Sequence, residues 1–530
     1  MWSSLLVIAF LLVSGYANDC VPRSFGTDRI VCVCNATYCD GLPEDHPEVP
    51  EDGSAYLYES NKGGLRLKVS TVKFGSCQGG GLRHNISLDS SKKYQKILGF
   101  GGAITDSAGI NIKKLSPAAQ EQLLRSYYDP KTGSKYTLGR VPIGGTDFST
   151  RPYTYDDTED DETLEHFALA PEDYNYKIPI MKKAVKLSPK ILFISATWTP
   201  PKWMKTNDKN TGFLSKFMKL LDSLVKLLIM SHSIGSLKKE NYQTYADYIL
   251  KFLDEYKKNG LDIWAVSTGN EPINALIPMD PLSSMGWTPR TVGKWVANNL
   301  GPTLNQSQHD TLIFALDDQS IFLPWYVEQI TRNEKANNYI AGIASHWYAD
   351  TTIPLTLDLT LDATHRVFPD KFLLMTEACV GSMDVHPVIL GAWDRGERYI
   401  SSIIDYMNHW YVGWMDWNIA LDERGGPTYI KNFVDSPIIV NGTSDEFYKQ
   451  PMYYALKHFS RFVDRDSDRI SISNTLLIKS TAFLTPSNEI VVVLYNSGPL
   501  TEYMTLNDPK KGSLCLTLSP HSFNTIKYKL

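Results

Sequence analysis

Two glutamates stand at the ends of short apolar runs, Glu271 in TGNEP (268–272) and Glu377 in MTEAC (375–379). One carboxylate in such a place is most simply a charge where a strand reaches water. A pair supports chemistry. Cleaving a glycosidic bond takes one carboxyl group to protonate the leaving oxygen and a second to face the anomeric carbon, and a separation of about 5 Å marks a retaining double displacement. The acid must keep its proton, which burial and the neighbouring carboxylate favour. Asn270 could donate to a sugar 2-hydroxyl, and Trp198, Tyr348 and Trp417 could supply apolar faces. Other chemistries fit less well. The chain has no Gly-x-Ser-x-Gly elbow and no His-Glu-x-x-His, and the Gly-rich GSCQGGG (75–81) lacks the elbow context. His346, alone in SHWYAD (345–350), reads as an orienting hydrogen-bond donor rather than a metal ligand. No metal or cofactor is expected.

The elements that would hold these residues are legible as eight apolar runs separated by helix-length segments. They are KILGFGGAITD (96–106), YTLGRVPIGGTD (136–147), ILFISATWTPP (191–201), LDIWAVSTGNEP (261–272), TLIFALDDQ (311–319), GIASHWYAD (342–350), FLLMTEACV (372–380) and VGWMDWN (412–418). Unbroken apolar runs argue for buried parallel strands, and eight in succession suggest a (β/α)8 TIM barrel with its site at the C-terminal strand ends. Those ends carry Asp147, Trp198, Asn270, Glu271, Gln319, Tyr348, Glu377 and Trp417. Strands four and seven lie across the barrel mouth, so their glutamates can converge on one bond. An open doubly wound sheet could give similar runs, but GFGGAITD (99–106) lacks the dinucleotide-binding glycine spacing. The flanks, 55–90 and 467–530, show short alternating runs bounded by turn residues, the pattern of an antiparallel β module built from both ends of the chain. The acidic stretch 155–166 reads as a solvated loop. Residues 213–234 place Leu214, Met218, Leu221, Val225 and Leu228 among lysines, a basic amphipathic helix that either packs on the barrel or faces lipid or a partner.

The chain has 530 residues and a formal net charge of −5, which supplies no basic field for nucleic acid. Its start, MWSSLLVIAFLLVSGYAND, reads as a signal peptide cut after Ala17, although no Lys or Arg precedes the apolar run. No later run approaches the length of a membrane span, so a soluble mature protein with at most peripheral membrane contact is expected. Cys20, Cys32, Cys34 and Cys39 crowd one N-terminal span; Cys-x-Cys is poor zinc spacing, and disulfides are the better reading behind a signal peptide. Cys77, Cys379 and Cys515 are left over and are expected to be buried free thiols. Asn35, Asn85, Asn305 and Asn441 begin glycosylation sequons.

GFGGAITD, TWTPPKWMKTN, GNEP, LDDQ, HWY, TEACVGS, WDRG, GWMDWNIAL, NFVDSPIIV and FYKQPMYYALKHFS together resemble the glucosylceramide-cleaving members of glycoside hydrolase family 30, from about Cys20 to the C-terminus. The resemblance implies Glu271 as acid/base and Glu377 as nucleophile. It implies that Asp147, Trp198, Asn270, Trp417 and Asn432 hold the glucose hydroxyls, with Tyr348 beside the pair. It also implies disulfides Cys20–Cys32 and Cys34–Cys39. The implied architecture is a TIM barrel (94–418 plus 451–465), an immunoglobulin-like β domain (47–93 plus 466–530) and a small three-stranded antiparallel sheet (18–46 plus 419–450), after a signal peptide at 1–17. The implied setting is the lysosome lumen, reached through the secretory pathway with secretion as an alternative. There glucosylceramide in lipid bilayers would be cleaved with a saposin C-like activator and anionic lipid. Two departures stand out. INALIPMDPLSSMGW (273–287) replaces the family's aromatic mouth loop, and 213–234 is interposed between TN and GSLK, as a genuine helix near the mouth or as translated intron. The competing readings are the same chemistry on another β-glycoside or steryl glucoside, and a non-catalytic glycolipid-binding relative.

Overall fold

The computed structural model describes residues 19–77, 83–212, 235–276, 281–352 and 356–530. The signal peptide, the interposed segment 213–234 and residues 277–280 of the mouth loop lie outside the described residues. All eight apolar runs form strands: β1 (Gly99–Ala103), β2 (Leu138–Ile143), β3 (Leu192–Thr197), β4 (Ala265–Ser267), β5 (Leu312–Gln319), β6 (Ile340–His346), β7 (Phe372–Glu377) and β8 (Gly413–Asn418). They pair in parallel and close into a barrel. The β1 run is Gly-rich because its backbone approaches β2 too closely for a side chain; a Cβ on Gly101 would lie 2.0 Å from the Leu138 carbonyl oxygen.

The barrel interior is a filled core. Leu138, Ile194, Ala265, Phe314, Ala344, Leu374 and Met415, one from each of β2 to β8, form one buried apolar cluster. Further toward the C-terminal ends the inward positions turn polar, with Arg140, Ser267, Asp317, His346, Thr376 and Glu377 all buried. Apolar burial thus supplies the platform and the polar layer above it supplies the chemistry. The surrounding helices start where local signals place them: Ser116 accepts from Ala119 N–H ahead of Pro117 at the first turn of Pro117–Tyr128, and Thr288 and Thr291 form a capping box before Pro289–Trp295.

The two chain ends fold together into a nine-stranded sheet. Its pivot is the 13-residue strand His84–Lys96, which pairs parallel with Glu502–Asp508 and antiparallel with Asp468–Ile472. Ile86, Leu88, Ile490, Val492, Leu514 and Ile526 fill its core. This packing corrects one expectation. Cys77 and Cys515 are joined in a disulfide with Cα atoms 5.5 Å apart, across 438 residues of sequence. Residues scattered along the chain become neighbours because Gly75 N–H donates to the Ser513 carbonyl and Phe74 bridges to Leu514. Cys379 alone stays a buried free thiol.

The small sheet has a three-stranded antiparallel centre, Ile30–Asn35, Glu446–Lys449 and Ile438–Asn441, as the resemblance implied. Two short edges, Pro22–Ser24 and the parallel Leu421–Asp422, extend it to five strands. Disulfides Cys20–Cys32 and Cys34–Cys39 staple its N-terminal part.

Candidate active site

The backbone is shaped to deliver Glu271. Strand β4 is only three residues long, and the chain beyond it is tied to both neighbours: Thr268 N–H donates to Phe314 O, Asn270 N–H to Thr197 O and Glu271 N–H to Asp317 O, each at 2.9 Å. Glu271 itself has φ +42°, in the left-handed region. Opposite it, Leu316 and Asp317 have φ +76° and +55° where the β5–β6 register shifts. Left-handed non-glycine residues cost of order 1 kcal/mol each or more, and a bulge re-aims the side chains around it. Here the distortion turns Asp317 into the barrel and Glu271 toward its mouth.

One oxygen of Glu271, one oxygen of Glu377 and a ring nitrogen of His346 lie within 4.8 Å of one another. Each carboxylate is fully engaged. Glu271 Oε1 accepts from Gln319 Nε2 and His346 Nδ1, both at 2.8 Å, and Oε2 accepts from Asn274 Nδ2. Glu377 Oε1 accepts the Tyr348 hydroxyl at 2.8 Å, and Oε2 accepts Arg140 Nη1. Beneath the pair Asp317 gathers Ser267 and Thr376 hydroxyls at 2.7 Å, Arg140 Nη2 at 3.0 Å and His346 Nε2 at 3.1 Å.

Electrostatics follow from these contacts. Burial works against a charged His346, but Glu377, Asp317 and Glu271 outweigh it and lift the imidazole to about 10, so it is a cation. Burial is likewise overcome at Arg140 by Asp317 and Glu377, and at Asp317, where Arg140 and His346 hold the carboxyl far below its usual range. Two cations therefore face three carboxyl groups, and the site is neutral when one of the three keeps a proton. Burial raises the Glu377 carboxyl and Glu271 adds to the rise, against the pull of His346 and Arg140; such a pair titrates as a unit. Around it, burial and Glu377 push Asp147 up to about 7, and burial and Glu271 push Asp318 up to about 7. The trio Glu271, His346 and Glu377 is close enough to ligate an ion, yet both His346 nitrogens already face carboxylates and Arg140 sits on Glu377. A third positive charge would be poorly placed there. The second such grouping, Cys34, Cys39 and Asp40, has its sulfurs in a disulfide.

Asp147, Trp198, Asn270, Glu271, Tyr348, Glu377, Trp417 and Asn432 all line one cleft of about 800 Å³. Asn432 is oriented at both ends, accepting from Ser382 Oγ at 3.1 Å and donating to Asp147 Oδ2 at 3.0 Å. Trp198 and Trp417 stack on each other with centroids 5.2 Å apart, and the Arg140 guanidinium lies 5.0 and 5.3 Å from the two rings. The two indoles thus form one buried pair, not two separate open faces. Asn270 accepts from Arg140 Nη2 at 2.7 Å through its Oδ1, which leaves its amide nitrogen for a ligand. The sequons differ: Asn85 and Asn305 are exposed, whereas Asn35 is half-buried and Asn441 donates its amide nitrogen to Glu423 and Tyr448.

Arg140, Ser267, Asp317, Thr376 and Asn274 were not singled out from sequence. Two signals were there: an arginine inside the otherwise apolar LGRVPI and a double aspartate closing TLIFALDDQ. A charge within a fully buried strand needs a buried partner.

Residues 97–463 match the description "Glycosyl hydrolase family 30 TIM-barrel domain" and residues 466–526 match "Glycosyl hydrolase family 30 beta sandwich domain". The chain is 41% identical to lysosomal acid glucosylceramidase of Mus musculus over 523 residues, 97% of this chain and 96% of that one. It is 37% identical to putative glucosylceramidase 3 of Caenorhabditis elegans, over 99% of this chain and 98% of the relative. Among solved structures it resembles SrfJ from Salmonella typhimurium with a TM-score of 0.79 at 26% identity, covering 90% of this chain and all of that one.

Proposed function

The chain belongs to glycosyl hydrolase family 30, and from that premise we propose that it is a retaining β-glucosidase that cleaves glucosylceramide to glucose and ceramide. The observation that carries the reading is the approach of Glu271 and Glu377 oxygens to within 4.8 Å on one cleft. Retaining enzymes keep their carboxyl groups about 5–5.5 Å apart, and inverting ones leave room for water at about 6.5–9.5 Å.

The roles proposed are those the family resemblance implies, Glu377 as nucleophile and Glu271 as acid/base. Glu377 receives a guanidinium and a phenol, groups that stabilise its ionised form, and Glu271 is held by His346, Gln319 and Asn274. A Glu377 oxygen attacks the anomeric carbon, the glycosidic C–O bond breaks, and the ceramide oxygen leaves with the Glu271 proton. Water then gives a proton to the Glu271 carboxylate and its oxygen displaces Glu377 from the sugar. His346 and Asp317 hold Glu271 in place through both steps, and Arg140 does the same for Glu377. Asp147, Asn432, Asn270 and the tryptophan pair bind the glucose.

The name of the mouse relative supports a lysosomal setting, and three disulfides agree with an oxidising route to it. No helix among the described residues is long and apolar enough to cross a membrane. Contact with the lipid that carries the substrate is proposed as peripheral. Its support is a set of apolar side chains beyond the ends of β5, β6 and β7: Trp325, Leu359, Met383 and Val385 are 56, 69, 98 and 91% exposed. Dependence on anionic lipid and on a saposin C-like activator belongs to the same proposal.

Glucose release from glucosylceramide near pH 5 tests the reading, with Glu377→Gln expected to fold and to lose turnover by at least 10³-fold. Normal turnover by that variant removes the nucleophile assignment. The lipid surface is tested with Leu359→Ser/Val385→Ser. Reduced hydrolysis in anionic vesicles with unchanged hydrolysis of a soluble β-glucoside is expected; equal hydrolysis in vesicles rejects this surface.

A further inference from the structure

The two oxygens of Glu271 are held differently. Oε1 takes two donors whose direction is fixed. Gln319 must present its amide nitrogen, because its amide oxygen accepts the Ala349 N–H at 3.2 Å. His346 is a cation with Nε2 facing Asp317, so Nδ1 donates. Oε2 has a single side-chain partner among the described residues, the amide of Asn274.

Asn274 stands in the turn Pro272–Leu276, where its backbone N–H donates to the Glu271 carbonyl at 3.0 Å, and its side chain lines the cleft. No other side-chain hydrogen bond of Asn274 is found among the described residues. An amide in that position can offer Oε2 either its N–H or its C=O, since the two ends are nearly the same shape. With two donors already on Oε1, the proton of a neutral Glu271 belongs on Oε2, next to Asn274.

We propose that Asn274 is a positioning residue for the acid/base: its amide turns with the protonation state of Glu271 and thereby sets the alkaline limit of the reaction. The inference rests on the assignment of Glu271 as acid/base. The amide accepts the Oε2 proton before glycosyl transfer and donates to the Oε2 carboxylate after it, while the proton itself passes from Oε2 to the leaving oxygen and is later replaced from water. Asn274 gains and loses no proton. A hydrogen bond to a carboxylate is stronger than one between neutral groups, so the net effect of the amide is to favour the ionised form.

Glu271 is also faced by His346, Glu377, Tyr348, Asp147 and Asp318, none of which hydrogen-bonds Asn274 among the described residues, so a shift caused by substituting Asn274 reads Glu271. Removing a donor that favours the carboxylate makes the acid hold its proton to higher pH. Asn274→Ala is expected to move the alkaline limb of the kcat/KM profile upward by about one pH unit, with the acid limb unmoved. Asn274→Asp keeps the volume and replaces the amide by a like charge, and is expected to move the limb at least as far. Octyl β-glucoside is the substrate, because its alkoxide leaving group needs the proton, and thermal midpoints confirm that both variants are folded. Superimposed limbs, a downward shift, or a uniform drop in kcat/KM with no change of profile overturn the proposal. Failure of the unaltered protein to release glucose instead overturns the enzymatic reading, so the two failures are distinct.

Discussion

At the scale of single residues, the site works through one fork. Arg140 is fully buried and its guanidinium reaches Glu377, Asn270 and Asp317 at once, with two indole rings on its flanks. No other side chain offers planar donors in this geometry; a lysine ammonium is a point charge on a flexible stem. Arg140→Lys preserves charge but cannot serve the three acceptors together. Each hydrogen bond to a charged group contributes about 1.5–3 kcal/mol, so loss of one or two predicts a fall in kcat/KM of about tenfold at the least and of more than about a hundredfold if two are lost. Steady-state kinetics on a soluble β-glucoside checks this, and a variant within threefold of the parent contradicts it. The same residue shows where sequence reading stops. An arginine in LGRVPI is visible as an anomaly in an apolar run, but its partners lie 130 to 237 residues away and only the closed barrel brings them together.

At the scale of elements, the eight barrel strands were legible because continuous burial leaves continuous apolar runs, and the glutamates were legible because strand ends are visible in the same pattern. The shortness of β4, the bulge in β5 and the left-handed Glu271 were not, since backbone irregularity leaves no periodic trace. The third disulfide was hidden for a related reason. Strand pairing between residues near Phe74 and Gly512–Leu518 is a contact between opposite ends of the chain, and spacing in sequence says nothing about it. That bond has a measurable consequence. Cys77→Ser/Cys515→Ser releases a loop of 438 residues in the unfolded chain and is expected to lower stability by about 2–4 kcal/mol. Denaturation of the β-sandwich is the measurement, alongside non-reducing peptide mapping. Unchanged stability with no linked 77–515 peptide shows that the bond does not form.

At the scale of the whole molecule, buried carboxyl groups set a preference for acid. Burial, partly offset by hydrogen bonds or a cation, pushes Asp106, Asp350 and Asp435 up to about 6, and burial with a neighbouring carboxylate pushes Asp147 and Asp318 up to about 7. An unfolded Asp titrates near 3.9, so between about pH 4 and pH 7 the folded chain binds more protons than the unfolded one at these five positions. Stability from them is fully present below about pH 4 and falls as pH rises through the folded values. Other groups act in the opposite sense: burial lowers His458 to about 3 and Lys457 to about 7 and holds Lys205 well below its usual range, which costs stability at acid pH, and the low values of Asp317 and Glu48 matter only below about pH 4. Five carboxyls outweigh one imidazole and two lysines across the window, so the thermal midpoint at pH 5 is expected to exceed that at pH 7.5 by roughly 3 °C. Asp350 separates this effect from catalysis. Its carboxylate accepts the hydroxyls of Ser320 at 2.5 Å and Tyr406 at 2.8 Å. Asp350→Asn keeps acceptor and volume while removing the titration, so it should narrow the difference between pH 5 and pH 7.5. Scanning calorimetry at the two pH values decides: an equal or higher midpoint at pH 7.5 in the parent protein contradicts the argument, and an unaltered difference in the variant removes Asp350 from it.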